Sequence, residues 1–176
     1  MARVSKKKAK ANAELSEKWV AAQLKNISDD MKNNPSVIGN RDLFLSVLKE
    51  LGCQYTEDED DGCIQFRYQG GWFMAYASNE YFIIKVYYTY FYTMEGYDKE
   101  GQEFAKKTVN ELNLSHNVKT VYTTDDDGLL HIHVKASIPF MAQIPDLSNY
   151  LRLMLDYMYA AKHSFDAEMN KYYDGR

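Results

Sequence analysis

Apolar and polar residues alternate with a period of two through the middle of this chain and with a period near 3.6 on either side, which predicts strands flanked by helices. The period-two region is residues 62–92. Its first segment sets Ile64, Phe66 and Tyr68 against Gln65, Arg67 and Gln69, one apolar face and one wet face. Its second sets Trp72, Met74 and Tyr76 against Phe73, Ala75 and Ala77, so both faces read as fairly apolar. The third is bulky on both sides, with Phe82, Ile84, Val86 and Tyr88 opposite Tyr81, Ile83, Lys85 and Tyr87. Such a strand is expected to be central, or covered by a helix or a second subunit. Gln69-Gly70-Gly71 and Ser78-Asn79-Glu80 are short enough to join the three as antiparallel hairpins. Residues 89–93 extend the third strand, either bulged or projecting past the sheet. Twelve of the 27 residues from 66 to 92 are Phe, Tyr or Trp, side chains that suit a pleated surface.

Helical spacing appears before and after this sheet. Leu15, Trp19, Val20, Ala22, Leu24, Ile27 and Met31 form a stripe in residues 13–31 that Asn33-Asn34-Pro35 ends. A second helix is expected over residues 41–51, capped by Asn40, closed by Gly52, and buried through Leu43, Phe44, Val47, Leu48 and Leu51. Residues 53–56 read as a short strand before the acidic turn at 57–62. A third helix runs from Asp98 to about Leu112 on Phe104, Ala105, Thr108, Val109 and Leu112. Residues 118–122 and 129–135 then form a hairpin around Asp125-Asp126-Asp127-Gly128. Pro145 opens a long last helix with a seam of Leu147, Leu151, Met154, Met158, Ala161, Phe165 and Met169.

Composition adds a compartment and a sign. The 176 residues, 45% of them hydrophobic, supply one core without metals or disulfides. Two cysteines, Cys53 and Cys63, are too few for a disulfide framework and fit a reducing, cytoplasmic setting. Lys6-Lys7-Lys8 leads into polar sequence rather than a signal-peptide core, and the 81–92 run is too short and polar to span a bilayer. Residues 1–38 carry eight Lys/Arg against four Asp/Glu, while residues 39–176 carry 13 against 21. The acidic body argues against a nucleic-acid partner, whose phosphates need a basic footprint.

No motif carries a recognisable chemistry. His131 and His133 share a strand face and could contribute to a metal or small-ligand sensor site, but no further ligand is evident in sequence. The acidic runs at 57–61 and 125–127 lack the spacing of an EF-hand and read as solvated hairpin tips. Ser164 lies directly beside His163 and outside any nucleophile elbow, and no phosphate-cradling glycine loop is present. The expectation is therefore a protein that is not an enzyme and holds no cofactor.

The strings LFLSVLKELGCQY (43–55), GCIQFRYQGGWFMAY (62–76), VNELNL (109–114), Val118 to Tyr122, and DGLL (127–130) resemble the YbjN-like proteins and, more broadly, the type III secretion chaperone-like fold. The resemblance covers about residues 40–170. It implies a single α+β domain with an antiparallel sheet of about five strands: a three-stranded meander, a helix, and a two-stranded hairpin, packed with helices. It also implies a bacterial protein. Secretion chaperones of this fold are small acidic homodimers that hold an extended partner segment, and YbjN-like proteins are associated with regulation. Neither brings catalytic or cofactor residues.

The domains expected are a basic tail (1–12), a helical extension (13–38) and the α+β domain (39–174). The function expected is a noncatalytic, chaperone-like or regulatory protein-binding domain acting as a homodimer, with no nucleic-acid or membrane partner. The expected interface residues are Tyr81, Tyr87, Tyr88, Tyr90, Tyr92, Leu151, Met154 and Met158, and the alternative function is the sensor built on His131 and His133.

Overall fold

A computed structural model describes residues 39–175, so the expected tail at 1–12 and helix at 13–31 lie outside the described residues. Residues 40–175 belong to the compact unit Asn40–Arg176. Its elements are α1 (Asn40–Glu50), β1 (Tyr55–Glu57), β2 (Ile64–Tyr68), β3 (Gly71–Ser78), β4 (Tyr81–Met94), α2 (Lys99–Ser115), β5 (Lys119–Thr124), β6 (Leu130–Pro139) and α3 (Leu147–Asp174). The strands form one antiparallel sheet of six, ordered β1-β2-β3-β4-β6-β5, rather than about five. The sixth is the short strand expected before the acidic turn, which the five implied by the resemblance leave out; it pairs Tyr55, Thr56 and Glu57 with Phe66, Gln65 and Ile64.

All three helices pack on one face of this sheet. Phe44 and Leu48 of α1 and Leu151, Leu155 and Met158 of α3 bury Phe66, Phe73, Val86, Tyr88 and Val134. Ala105, Val109 and Leu112 of α2 join Phe165 and Met169 of α3 over Met94, Leu130 and Ile132. The buried positions on β2 and β3 alternate as their pleat requires, and β6 departs from alternation at His133, which is buried beside Tyr90 on the other face.

Local corrections follow from tertiary contacts. Asn40 does not cap α1: it lies inside the helix, fully buried, and donates from Nδ2 to the Tyr81 carbonyl. Asn79, in the β3–β4 turn, takes the cap, its Oδ1 accepting from the N–H of Arg41 (2.8 Å) and Asp42 (3.3 Å). Asp98 caps α2 as expected, accepting from the Gly101 N–H. The last helix begins at Leu147, so Pro145 lies just before it rather than in its first turn, and Asp146 caps it through the Asn149 N–H. On α3, Leu155 rather than Met154 occupies the fully buried seam.

The β2–β3 turn is also tighter than expected. Tyr68 pairs with Gly71, leaving Gln69 (φ 46°) and Gly70 (φ 83°) as a two-residue turn with both residues left-handed, the twist that suits a hairpin. The extension of β4 is bulged and stays paired. Tyr88 faces Val134 and Tyr92 faces Ile132, so residues 89–91 lie opposite His133 alone. This bulge turns Phe91 and Tyr92 together toward Phe165 on the helix side and sends Tyr90 (φ 52°) to the other.

Among the described residues no helix is long and apolar enough to cross a membrane.

Candidate functional site

The site is the face of the sheet that carries none of the described helices. Alternation puts Arg67 of β2, Trp72, Met74 and Tyr76 of β3, and Tyr81, Ile83, Lys85 and Tyr87 of β4 there, together with Lys135 of β6 and Lys119 of β5. Strand register then sets these side chains in rows. Met74, Tyr87, Lys135 and Lys119 follow one another across β3, β4, β6 and β5, and Tyr76, Lys85 and Ser137 form the next row. The Arg67 guanidinium sits over its neighbour Trp72, 4.6 Å from the ring centroid. Trp72 is 49% exposed, although it lies in the stretch where both strand faces read as apolar.

The charges on this face are sorted. The strands contain five charged side chains apart from histidine: Arg67, Lys85, Lys119, Lys135 and Glu57. The four cations point to the open face, whereas Glu57 pairs with Arg41 of α1 at 2.7 Å. None of the four cations has an ion-pair partner among the described residues. Lys119 and Lys135 are directly paired in register, an arrangement of like charges that disfavours the bare sheet.

Among the described residues, carboxylates bond to side chains of this face at two corners. Asp61, on the β1–β2 turn, accepts from the Tyr76 hydroxyl at 3.2 Å, and Asp125, on the β5–β6 turn, meets His131 Nε2 at 3.0 Å. These turns stand at opposite ends of the strands.

The eight expected interface residues divide between the two sides of the sheet. Tyr81, Tyr87 and Tyr90 lie on the open side, with Tyr81 and Tyr90 exposed and Tyr87 half-buried. Tyr88, Leu151 and Met158 are buried in the core, where Tyr88 stacks on Phe73 at 4.6 Å. Tyr92 is half-buried against Phe165, and Met154 packs partly on the core. The core position of Tyr88, Leu151 and Met158 takes their side chains off the surface of this unit. Trp72 and Tyr76 were absent from the expected set. Their signal was the alternation itself, which places them opposite Phe73 and Ala75.

The two strand histidines are held by protein partners at every ring nitrogen. His131 meets Asp125 through Nε2 and Thr93 Oγ1 through Nδ1 (3.0 Å each). His133 Nδ1 accepts from the Tyr90 N–H at the bulge, so its Nε2–H donates to Thr123 Oγ1 at 2.9 Å. Burial, and then the neighbouring His131, hold His133 below the usual histidine pKa. A metal bound there would have to displace these partners, and among the described residues no three His, Cys, Asp or Glu side chains are gathered to hold one.

Other candidate nucleophiles are inert or differently paired. Cys53 and Cys63 are buried free thiols, and burial raises both, so they stay protonated at neutral pH. Ser164 meets His116 at 3.1 Å rather than the adjacent His163, which stacks beside Tyr159.

Comparison with known proteins bears on the fold. No family model matches the chain, and no curated protein does. Among solved structures, YbjN from E. coli, proposed as a transcription regulator, superposes with a TM-score of 0.50 over 76% of this chain and 92% of its own, at 14% identity. The likeness at this identity is one of fold alone: this chain shares the α+β architecture of that structure.

Proposed function

We propose that residues 39–174 form a noncatalytic binding domain, chaperone-like or regulatory, that holds a protein partner against the open face of its sheet and acts as a homodimer. The observation that carries this reading is the layering: three helices share one side of the sheet, and Trp72, Tyr76, Tyr81 and Tyr87 stand on the other. Tyrosine and tryptophan combine apolar area with a polar tip, which suits an interface that must also tolerate water. Two buried free thiols accord with a reducing, cytoplasmic setting. For the dimer, a twofold packing of the open faces would set the cationic sides of two copies against each other. The exposed Leu153 and Tyr157 of α3 offer an uncharged alternative on the helix side.

Site-directed photocrosslinking tests this assignment. A photoreactive phenylalanine analogue at position 72 is expected to give a saturable adduct with one protein in its native cell. The same analogue at position 157 is expected to link the chain to itself, with a solution mass of two protomers. Adducts to a foreign protein from position 157 and none from position 72 would move the binding site to α3. A monomeric mass at all concentrations would remove the dimer.

A further inference from the structure

We infer that the occupant of the open sheet face is a short acidic segment of the partner protein, lying across the strands over Lys85, Lys135 and Lys119. This deepens the binding proposal above and rests on it. Residues 39–176 carry an excess of eight acidic charges, yet every cationic strand side chain emerges on this one face. The direct Lys119–Lys135 pair raises the energy of the unoccupied sheet, and a carboxylate placed between the two ammonium groups would lower it. Met74 and Ile83, half-buried on the same face, leave room for apolar side chains between the acidic ones.

The direction and length of the segment follow from the corners. Asp61, which accepts from Tyr76 in the Lys85 row, and Asp125 stand at opposite ends of the strands, so an anionic chain running lengthwise approaches them, whereas one running across the Met74–Tyr87–Lys135–Lys119 row keeps to the cations. From β2 to β5 the sheet spans four strand spacings, about 19 Å at the usual separation, which an extended peptide of about six residues covers. A nucleic acid longer than a few nucleotides would run past the cationic rows into acidic surroundings. The arrangement therefore favours a peptide over a phosphate chain.

Peptide selection on the full chain tests the inference. A random 12-residue phage library is panned on wild type, and the best binder is synthesised with a fluorescein label for anisotropy. Selected sequences are expected to be enriched in Asp and Glu. The labelled peptide should weaken about tenfold in Lys85→Glu/Lys135→Glu and weaken as salt rises through the physiological range. Thermal melting checks that the variant is folded, and Lys85→Gln/Lys135→Gln should give an intermediate loss.

Selected peptides without acidic enrichment, still weakened by Trp72→Ala, would overturn the inference and leave the binding proposal standing. Failure to select any peptide would overturn both. A 15-nucleotide oligo-dT or oligo-U bound more tightly than the best peptide, and lost in the charge-reversal variant, would make the occupant a nucleic acid. A wild-type mass that rises with concentration and returns to monomer in that variant would make it a second copy of this chain.

Discussion

Gly71 shows how one atom ties the sheet to its longest helix. A Cβ built there would lie 2.2 Å from the Tyr159 hydroxyl, which donates to the Tyr68 carbonyl at 2.6 Å. Gly71→Ala is expected to cost about 2 kcal/mol by overpacking. Tyr159→Phe should cost about 1 kcal/mol through its lost hydrogen bond, and in that background the alanine should cost less than it does in wild type. Urea denaturation of the four combinations measures this coupling, and strict additivity would mean that the hydroxyl is not the obstacle. His133 gives a pH signature. Its folded-state pKa is depressed, so the unfolded chain takes up the proton first, near 6.5, and stability falls as the pH drops from there toward the lower folded value. His133→Gln should flatten the stability profile over that window, and an unchanged slope would assign it to other groups. At this scale the sequence was partly legible: the shared strand face of His131 and His133 followed from their spacing, but their partners Thr93, Thr123 and the Tyr90 N–H did not.

At the level of the element, β3 was the ambiguous case. Its two sets of side chains have similar hydrophobicity, so alternation defined two faces without saying which one the helices would cover. The structure buries Phe73 completely among Phe66, Tyr88 and Tyr159 and leaves Trp72 half exposed. Phe73→Ala is accordingly expected to cost about 3–5 kcal/mol, and Trp72→Ala less than about 1 kcal/mol, in equilibrium unfolding. Comparable losses from both would show that the second face is also packed. Helices α1, α2 and α3 were legible from their stripes and from Asp98, because those signals lie within each element. The α1 cap was not, because Asn79 comes from a turn 37 or 38 residues away.

Over the whole molecule, net charge misrepresents the surface. The acidic composition pointed away from a nucleic-acid partner, but counting residues does not record which face of a strand they occupy. Once β2, β4, β5 and β6 pair in register, their cations gather on one side and leave the remaining surface more acidic than the average. The α+β class, the hairpins and the helical stripes were determined by sequence alone, since period, turn residues and caps act over a few positions. The tertiary structure decided that the three described helices share one layer, that Tyr87 faces outward while Tyr88 is core, and that Lys119 meets Lys135. Those outcomes depend on pairings between residues far apart in the chain, where packing of the described helices against one side breaks the near symmetry between the two faces of a strand.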